Sequence, residues 1–384
     1  MGIDGVPTDS IGLVLSLYFA GMFVGAIYSK TLIARAGHIR MFAGCISLSS
    51  ISILFCSFST DLILWGCLRA VFGFCNACAF TAMESWLSDS STKETRGKIL
   101  GVYNTMIWGG LFGGQFFISL GDPADTTLFV MAGILLCAAV IPVSLSRNQG
   151  PKIIKVKPTS LFTLYRLSPL GVVSCLASGF LFAALFNLLP IFAKGQNIDG
   201  FQLSLYMGGA IVGGFILQFP IGYLSDKFDR RVVLLTLLII SSIAAFTIPL
   251  FSIQENFWIT LVVTSLLGGI VACTYPLSIS QVFDQLEQNQ MVAAMGSLIL
   301  GFSLGGAIGP YSTSLVMSMF GNDSLFYFLM VLQLCLAAFV ARRMSIRDAL
   351  PVEEQESFVM QATVSTPTAK LDPRILYVDL ASKE

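Results

Sequence analysis

Gly222-Tyr223-Leu224-Ser225-Asp226-Lys227-Phe228-Asp229-Arg230-Arg231 is a short charged turn set between two long apolar runs. Neither run, 201–224 or 232–252, contains a charged residue, and about 20 such residues suffice to cross a bilayer as a helix. Only helices and closed barrels satisfy their own backbone in lipid, so this turn lies at a membrane surface. Its residues suit that place: the glycine lets two helices approach closely, the carboxylate accepts hydrogen bonds, and the basic side chains hold the loop on the cytoplasmic side.

Composition extends this reading to the whole chain. Hydrophobic residues make up 55% of the 384 and charged residues 11%, against about 25% charged in soluble domains, so the chain is an all-α polytopic membrane protein. Eleven apolar spans fit between residues 10 and 342. The polar stretch 147–168, with Lys152, Lys155 and Lys157, reads as a cytoplasmic linker between an N-terminal half (1–146) and a six-helix C-terminal half (169–342). Residues 343–384 are polar and proline-bearing, which predicts a disordered cytoplasmic tail. The Cys75-x-x-Cys78 pair lies inside an uncharged span with no histidine nearby, so no metal or cofactor is expected. His38, the one histidine, sits in a basic loop where solvation is expected.

Charge predicts the topology. Of 22 Lys and Arg residues, Arg69 lies inside a span and Lys194 in a loop of one parity; the rest fall in the linker, the tail and loops of the other parity. The positive-inside bias makes those loops and the C-terminus cytoplasmic and Met1 external. A shift of about 192 to 196 residues superimposes Arg35-Ala-Gly37 on Lys227-Phe-Asp229, Gly73 on Gly268, and Gly109-Gly110-x-x-Gly113 on Gly305-Gly306-x-x-Gly309. Such internal repetition is a transporter signature. In that register the span at 10–29 matches the second helix of the second half, and the partner of its first helix is missing.

The decapeptide at 222–231 resembles the signature between the second and third helices of each half of the major facilitator superfamily (MFS), and Arg69-Ala-Val-Phe-Gly73 resembles the Arg-x-x-x-Gly signature of its fourth helix. Glu84-Ser-Trp-Leu87 looks like a poorly characterised bacterial branch of that superfamily. The resemblance implies an MFS fold, with the eleven spans as helices two to twelve of a twelve-helix plan and two halves rocking about a midplane site. A genuine eleven-helix protein is the alternative. The first-half copy of the turn departs from the signature, with Ala34 at the aspartate and Lys30 at the first glycine; Arg35, Gly37 and Arg40 remain.

Arg69 lies about 12 Å of helical rise from the outer end of its span, where an isolated charge costs at least ~2.5 kcal/mol and demands a partner or a wet cavity. A substrate or coupling role competes with a structural one. Asn76, Asn104, Trp108, Gln115, Asn187, Gln218 and Tyr275 complete a weakly polar, aromatic lining, although each is individually as well suited to an interhelical bond. For Glu84 the first expectation, from related proteins, is a gating latch to Arg35 or Arg40; a proton carrier and an interfacial carboxylate are the alternatives. Gly222, Asp226, Arg230 and Arg231 form the second gating cluster. Gly301, Gly305 and Gly309-Pro310 offer a small face for helix packing.

These features predict a secondary transporter in a bacterial inner membrane, a monomer whose partners are the lipid bilayer, a small-molecule substrate and protons. Proton-coupled efflux of a drug-like or sugar-like compound is preferred to an uptake symporter. A non-transporting remnant or a sensor lacking the first helix is the alternative from another class. Catalytic triads, phosphate-binding glycine loops and nucleic-acid patches are absent from the sequence, so an enzyme is not expected.

Overall fold

A computed structural model describes residues 5–89, 91–92, 95–122, 125–145, 160–251, 253, 255–346 and 350–361. Its elements are helical: α1 (Thr8–Ala36), α2 (His38–Cys56), α3 (Leu62–Asp89), α4 (Arg96–Phe116), α5 (Thr127–Ser144), α6 (Leu161–Leu167), α7 (Pro169–Gly195), α8 (Gly200–Lys227), α9 (Arg230–Thr247), α10 (Phe257–Phe283), α11 (Gln288–Phe320) and α12 (Ser324–Ile346). Among the described residues eleven of these have at least 18 residues, as the eleven apolar spans predict. Ten are apolar enough to cross a membrane by length and composition. The eleventh, α4, is diluted by Asn104, Gln115 and its glycines.

Local chemistry sets the ends. Gly37 alone separates α1 from α2; its φ of 84° lies in the left-handed region that glycine reaches without strain. Asp229 caps α9 by accepting a hydrogen bond from the Arg231 backbone N–H at 3.0 Å. The linker expected at 147–168 is only partly visible: 147–159 lie outside the described residues, and α6 occupies 161–167 with Leu164 fully buried.

The repeat recurs in the packing. In the first half α1 crosses α3 so that Gly73 meets the carbonyl of Tyr18 and Gly21 meets that of Ala70. The equivalent crossing of α8 with α10 puts Gly268 against the carbonyl of Ala210 and Gly213 against that of Ser265. A side chain at any of these four positions would run into backbone, which cannot swing aside. Likewise α2 packs on α5 as α9 packs on α12.

The halves meet along two antiparallel seams. Between α1 and α11, Gly12 faces Pro310 and Ser314, the Tyr311 backbone N–H donates to Ser16 Oγ at 3.0 Å, and Gly306 carries the Phe19 ring. Between α4 and α8, the Phe112 and Phe116 rings lie on Gly208 and Trp108 lies on Gly214.

The chain after α12 departs from the expectation of a wholly free tail. Residues 362–384 lie outside the described residues, but 350–361 pack against the bundle, with Val359 and Gln361 buried. Composition missed this because the segment is held mainly through its backbone, which carries no sequence signature.

Candidate functional site

Arg69 projects from α3 between helices of the first half, half-buried, with its guanidinium 5.3 Å from the centre of the Tyr18 ring of α1. That is cation–π distance. Asn76, two turns along α3, donates from Nδ2 to Tyr18 Oη at 3.2 Å, so α1 and α3 present Tyr18, Arg69 and Asn76 as one cluster. The buried Nε of Arg69 has no hydrogen-bond partner. A guanidinium with a donor to spare at mid-span is equipped to bind an acceptor that enters from outside.

A second cluster lies on the α4–α8 seam. Trp108 is 3% exposed and packs with Ile211, Ala272, Phe186 and Phe215, while its indole N–H finds no partner. Tyr275, equally enclosed, stacks obliquely on Phe302 at 4.7 Å; Phe302 in turn neighbours Phe182, and Phe182 neighbours Phe186. This aromatic floor joins α4, α7, α8, α10 and α11 at the middle of the molecule. Asn104 and Gln218 lie on the same seam, both buried, but their side-chain amides are spent on the tail: Asn104 Nδ2 donates to the Met360 carbonyl at 2.8 Å and Gln218 Nε2 to the Gln361 carbonyl at 3.1 Å. Gln115 and Asn187 each donate to a carbonyl one turn back on their own helix, at 3.4 and 2.8 Å.

The latch differs from expectation. Arg35 and Arg40 are exposed and neither pairs with Glu84 in this conformation. Glu84 is 1% exposed and its Oε1 accepts from Tyr103 Oη of α4 at 2.8 Å. The arginines point to the surface while the residue between them, His38, takes the place beside α3. His38 is buried rather than solvated, its Nε2 3.1 Å from Ser85 Oγ, because α2 begins at this residue and turns it toward α3. Cys75 and Cys78 are free buried thiols packed with Cys45.

The second gating cluster is tighter than its sequence suggested and differently wired. Arg230 is 2% exposed and donates from Nη1 to both oxygens of Asp284 at 2.6 Å, from Nε to Ser225 Oγ at 2.9 Å, and from Nη2 to the Glu356 carbonyl at 2.6 Å. Asp226 is a more distant partner at 3.6 Å. Arg231 forks onto Asp229 instead. Gly222 receives the ring of Phe358. Sequence reasoning missed Asp284, although an acid at the very end of α10 and level with the basic turn was the available signal; Tyr18, Tyr103 and Phe302 gave none. Of the packing residues, Gly305 and Gly309 meet the carbonyls of Leu176 and Phe180 in α7, Pro310 faces Gly12, and Gly301 makes only ordinary contact with Leu161.

Two pseudo-repeated halves of long apolar helices, packed along two seams with aromatic rings buried at one of them, are the architecture of a polytopic membrane protein. The family model described as the Major Facilitator Superfamily matches residues 4–216 and again 173–377, and the chain belongs to that superfamily. It is a family of transporters rather than enzymes. The chain is 29% identical over 336 residues to the uncharacterized MFS-type transporter YcaD of Escherichia fergusonii, covering 84% of each protein. It is 27% identical over 357 residues to YcaD of Salmonella arizonae, covering 90% of this chain and 88% of that one. Its fold is similar to the nucleoside transporter NupG in its D323A form (TM-score 0.72, 14% identity, 88% of this chain and 91% of that). It is also similar to a bacterial homolog of the human lysosomal transporter Spinster in an inward-facing, occupied conformation (TM-score 0.64, 15% identity, 91% and 97%).

Proposed function

We propose that this protein is a secondary active transporter of a small molecule, working by alternating access as a monomer in a bacterial inner membrane with its C-terminus cytoplasmic. Proton-coupled efflux of a drug-like or sugar-like substrate is the reading preferred, with uptake by symport as its rival. The observation that carries transport is the Tyr18–Arg69–Asn76 cluster, a charged group with an unused donor inside the span of a two-half bundle. The aromatic floor around Trp108 and Tyr275 supplies a surface for a flat or apolar substrate body. The test is a set of proteoliposomes with an imposed pH gradient and an internal pH dye, challenged with sugars and planar hydrophobic drugs. Proton movement on addition, in the direction of exchange, supports efflux; movement in the other sense makes it a symporter. Arg69→Ala abolishes that signal at an unchanged yield of folded protein, and full flux in the variant overturns the site.

A second part of the proposal concerns architecture: the first half packs around one more membrane helix than the eleven described. On α11 the glycine face is filled by α7, whereas its repeat mate on α4, Gly109, Gly110, Gly113 and Gly114, meets nothing within 4 Å among the described residues. Burial agrees. The most apolar window of α3 is 33% buried against 61% for its mate α10, and that of α5 is 6% against 44% for α12. Protein purified from its native membrane, measured by intact mass and N-terminal sequencing, tests this. Mass beyond 41.4 kDa that includes an apolar stretch of about 20 residues supports it, and a mass at that value sinks it.

A further inference from the structure

The seam between α4 and α8 closes directly at one end and through a third party at the other. Away from the Arg230 cluster, aromatic rings of α4 lie straight on α8: Phe112 at Gly208 and Trp108 at Gly214. One turn beyond Trp108 lies Asn104, and across the seam from it Gln218. Asn104 of one half and Gln218 of the other each bond one non-helical segment, residues 356–361, which lies between them.

Five of the hydrogen bonds that hold this segment go to its backbone. Arg230 donates to the Glu356 carbonyl (2.6 Å), and the Glu356 N–H donates to Asp284 Oδ1 (3.0 Å). The Phe358 N–H donates to Asp226 Oδ1 (2.7 Å). Asn104 and Gln218 then take the carbonyls of Met360 and Gln361 (2.8 and 3.1 Å). Side chains add a lock: the Phe358 ring fills the notch left by Gly222, 2.5 Å from where a Cβ would stand, and Val359 and Gln361 are 8% and 4% exposed. The fit is incomplete at Gln361, whose buried Oε1 has no hydrogen-bond partner among the described residues. A segment that leaves a buried acceptor unsatisfied is held less tightly than its contacts suggest.

We propose that residues 356–361 are an autoinhibitory strap: they wedge the α4–α8 seam apart at the tail-bearing mouth, and the halves close there only when the strap withdraws. The inference rests on the alternating-access reading, because only a bundle that must close at this mouth is inhibited by a wedge in it. Asp226, Arg230 and Asp284, the charged turn and its partner, then serve as the strap's receptor as well as a link between α8, α9 and α10.

The experiment needs no substrate. In a chain whose native cysteines are replaced by serine, spin labels are placed at Lys98→Cys on α4 and Lys227→Cys on α8, both exposed and neither touching the strap. Electron–electron double resonance then reads the distance across the mouth in the full chain, in Phe358→Asp, and in a chain ending at residue 349. The full chain is expected to show one long distance, and both variants a new, shorter population. Phe358→Asp retains the Glu356 bonds to Arg230 and Asp284, so it guards against the shortened chain failing to fold. A companion pair, Gly222→Cys with Phe358→Cys, is expected to form a disulfide under mild oxidation. Unchanged distance distributions in the variants, or no disulfide in folded protein, overturn the strap and leave the transport reading intact. Full flux in Arg69→Ala overturns the Arg69 site alone, and a chain that moves neither protons nor solute in the vesicle assay, while its variants show the shorter distance, overturns the transport reading alone.

Discussion

At the scale of single residues, Arg230 shows how little a sequence motif says about its own wiring. Its carboxylate partner at close range is not Asp226, four residues away in the same turn, but Asp284, 54 residues on. Both members of the Arg230–Asp284 pair are almost fully enclosed, with 2% and 3% of their side chains exposed. Breaking a buried pair from one side strands a charge and costs about 3–5 kcal/mol. Asp284→Asn is therefore expected to lower the melting temperature of the detergent-solubilised protein sharply. Arg231→Ala removes a more accessible pair, 12% and 23% exposed, between residues two apart on the same turn, and should shift the melt less. Equal shifts for the two variants would contradict this ranking. Arg69 was legible from sequence for a simple reason: a charge in an apolar span is conspicuous. Tyr18 was not, since a tyrosine among 31 phenylalanines and nine other tyrosines carries no mark of the contact it makes.

At the scale of helices, the spans were legible because bilayer thickness sets their length and charge marks their ends. The repeat was legible because close crossings demand glycine at matched positions, as Gly73 and Gly268 show against the carbonyls of Tyr18 and Ala210. The same rule gives opposite signs within one helix. Gly305 faces the α7 backbone, so Gly305→Val forces α7 and α11 apart, costing about 1–3 kcal/mol or more and reducing the yield of folded protein. Gly301→Ala meets only the Leu161 side chain at 3.6 Å and gains the helix propensity of alanine, up to about 1 kcal/mol. Thermal melts of the two proteins check the contrast. What escaped the sequence at this scale was the tail: a segment recognised through N–H and C=O groups looks like any polar linker when only its side chains are read. Charge placement at Arg35, Arg40 and Glu84 was legible too, but not which way each side chain faces: the arginines are exposed and Glu84 turns to Tyr103 of α4.

At the scale of the molecule, the two seams work as a rocker's bearings. The α1–α11 seam is tied at its far end by Ser16 and Ser314, and Gly12 presses on Ser314. Gly12→Leu sets a side chain against Ser314 and the Pro310 carbonyl and is expected to hold that end apart and to abolish flux; undiminished flux in the variant would show that this end need not close during transport. The Arg230 hub has one more consequence, and it concerns biogenesis. Its guanidinium draws on α8, on α10 and on the Glu356 carbonyl, so the last of its partners leaves the ribosome more than 120 residues after Arg230 itself. Until then a buried cation in the second half waits with one donor unmatched, and the bundle is membrane-inserted before it is complete. A message cut short ahead of that codon therefore yields a chain with all the helices described here and an open socket, the kind of defect that membrane quality control is built to find.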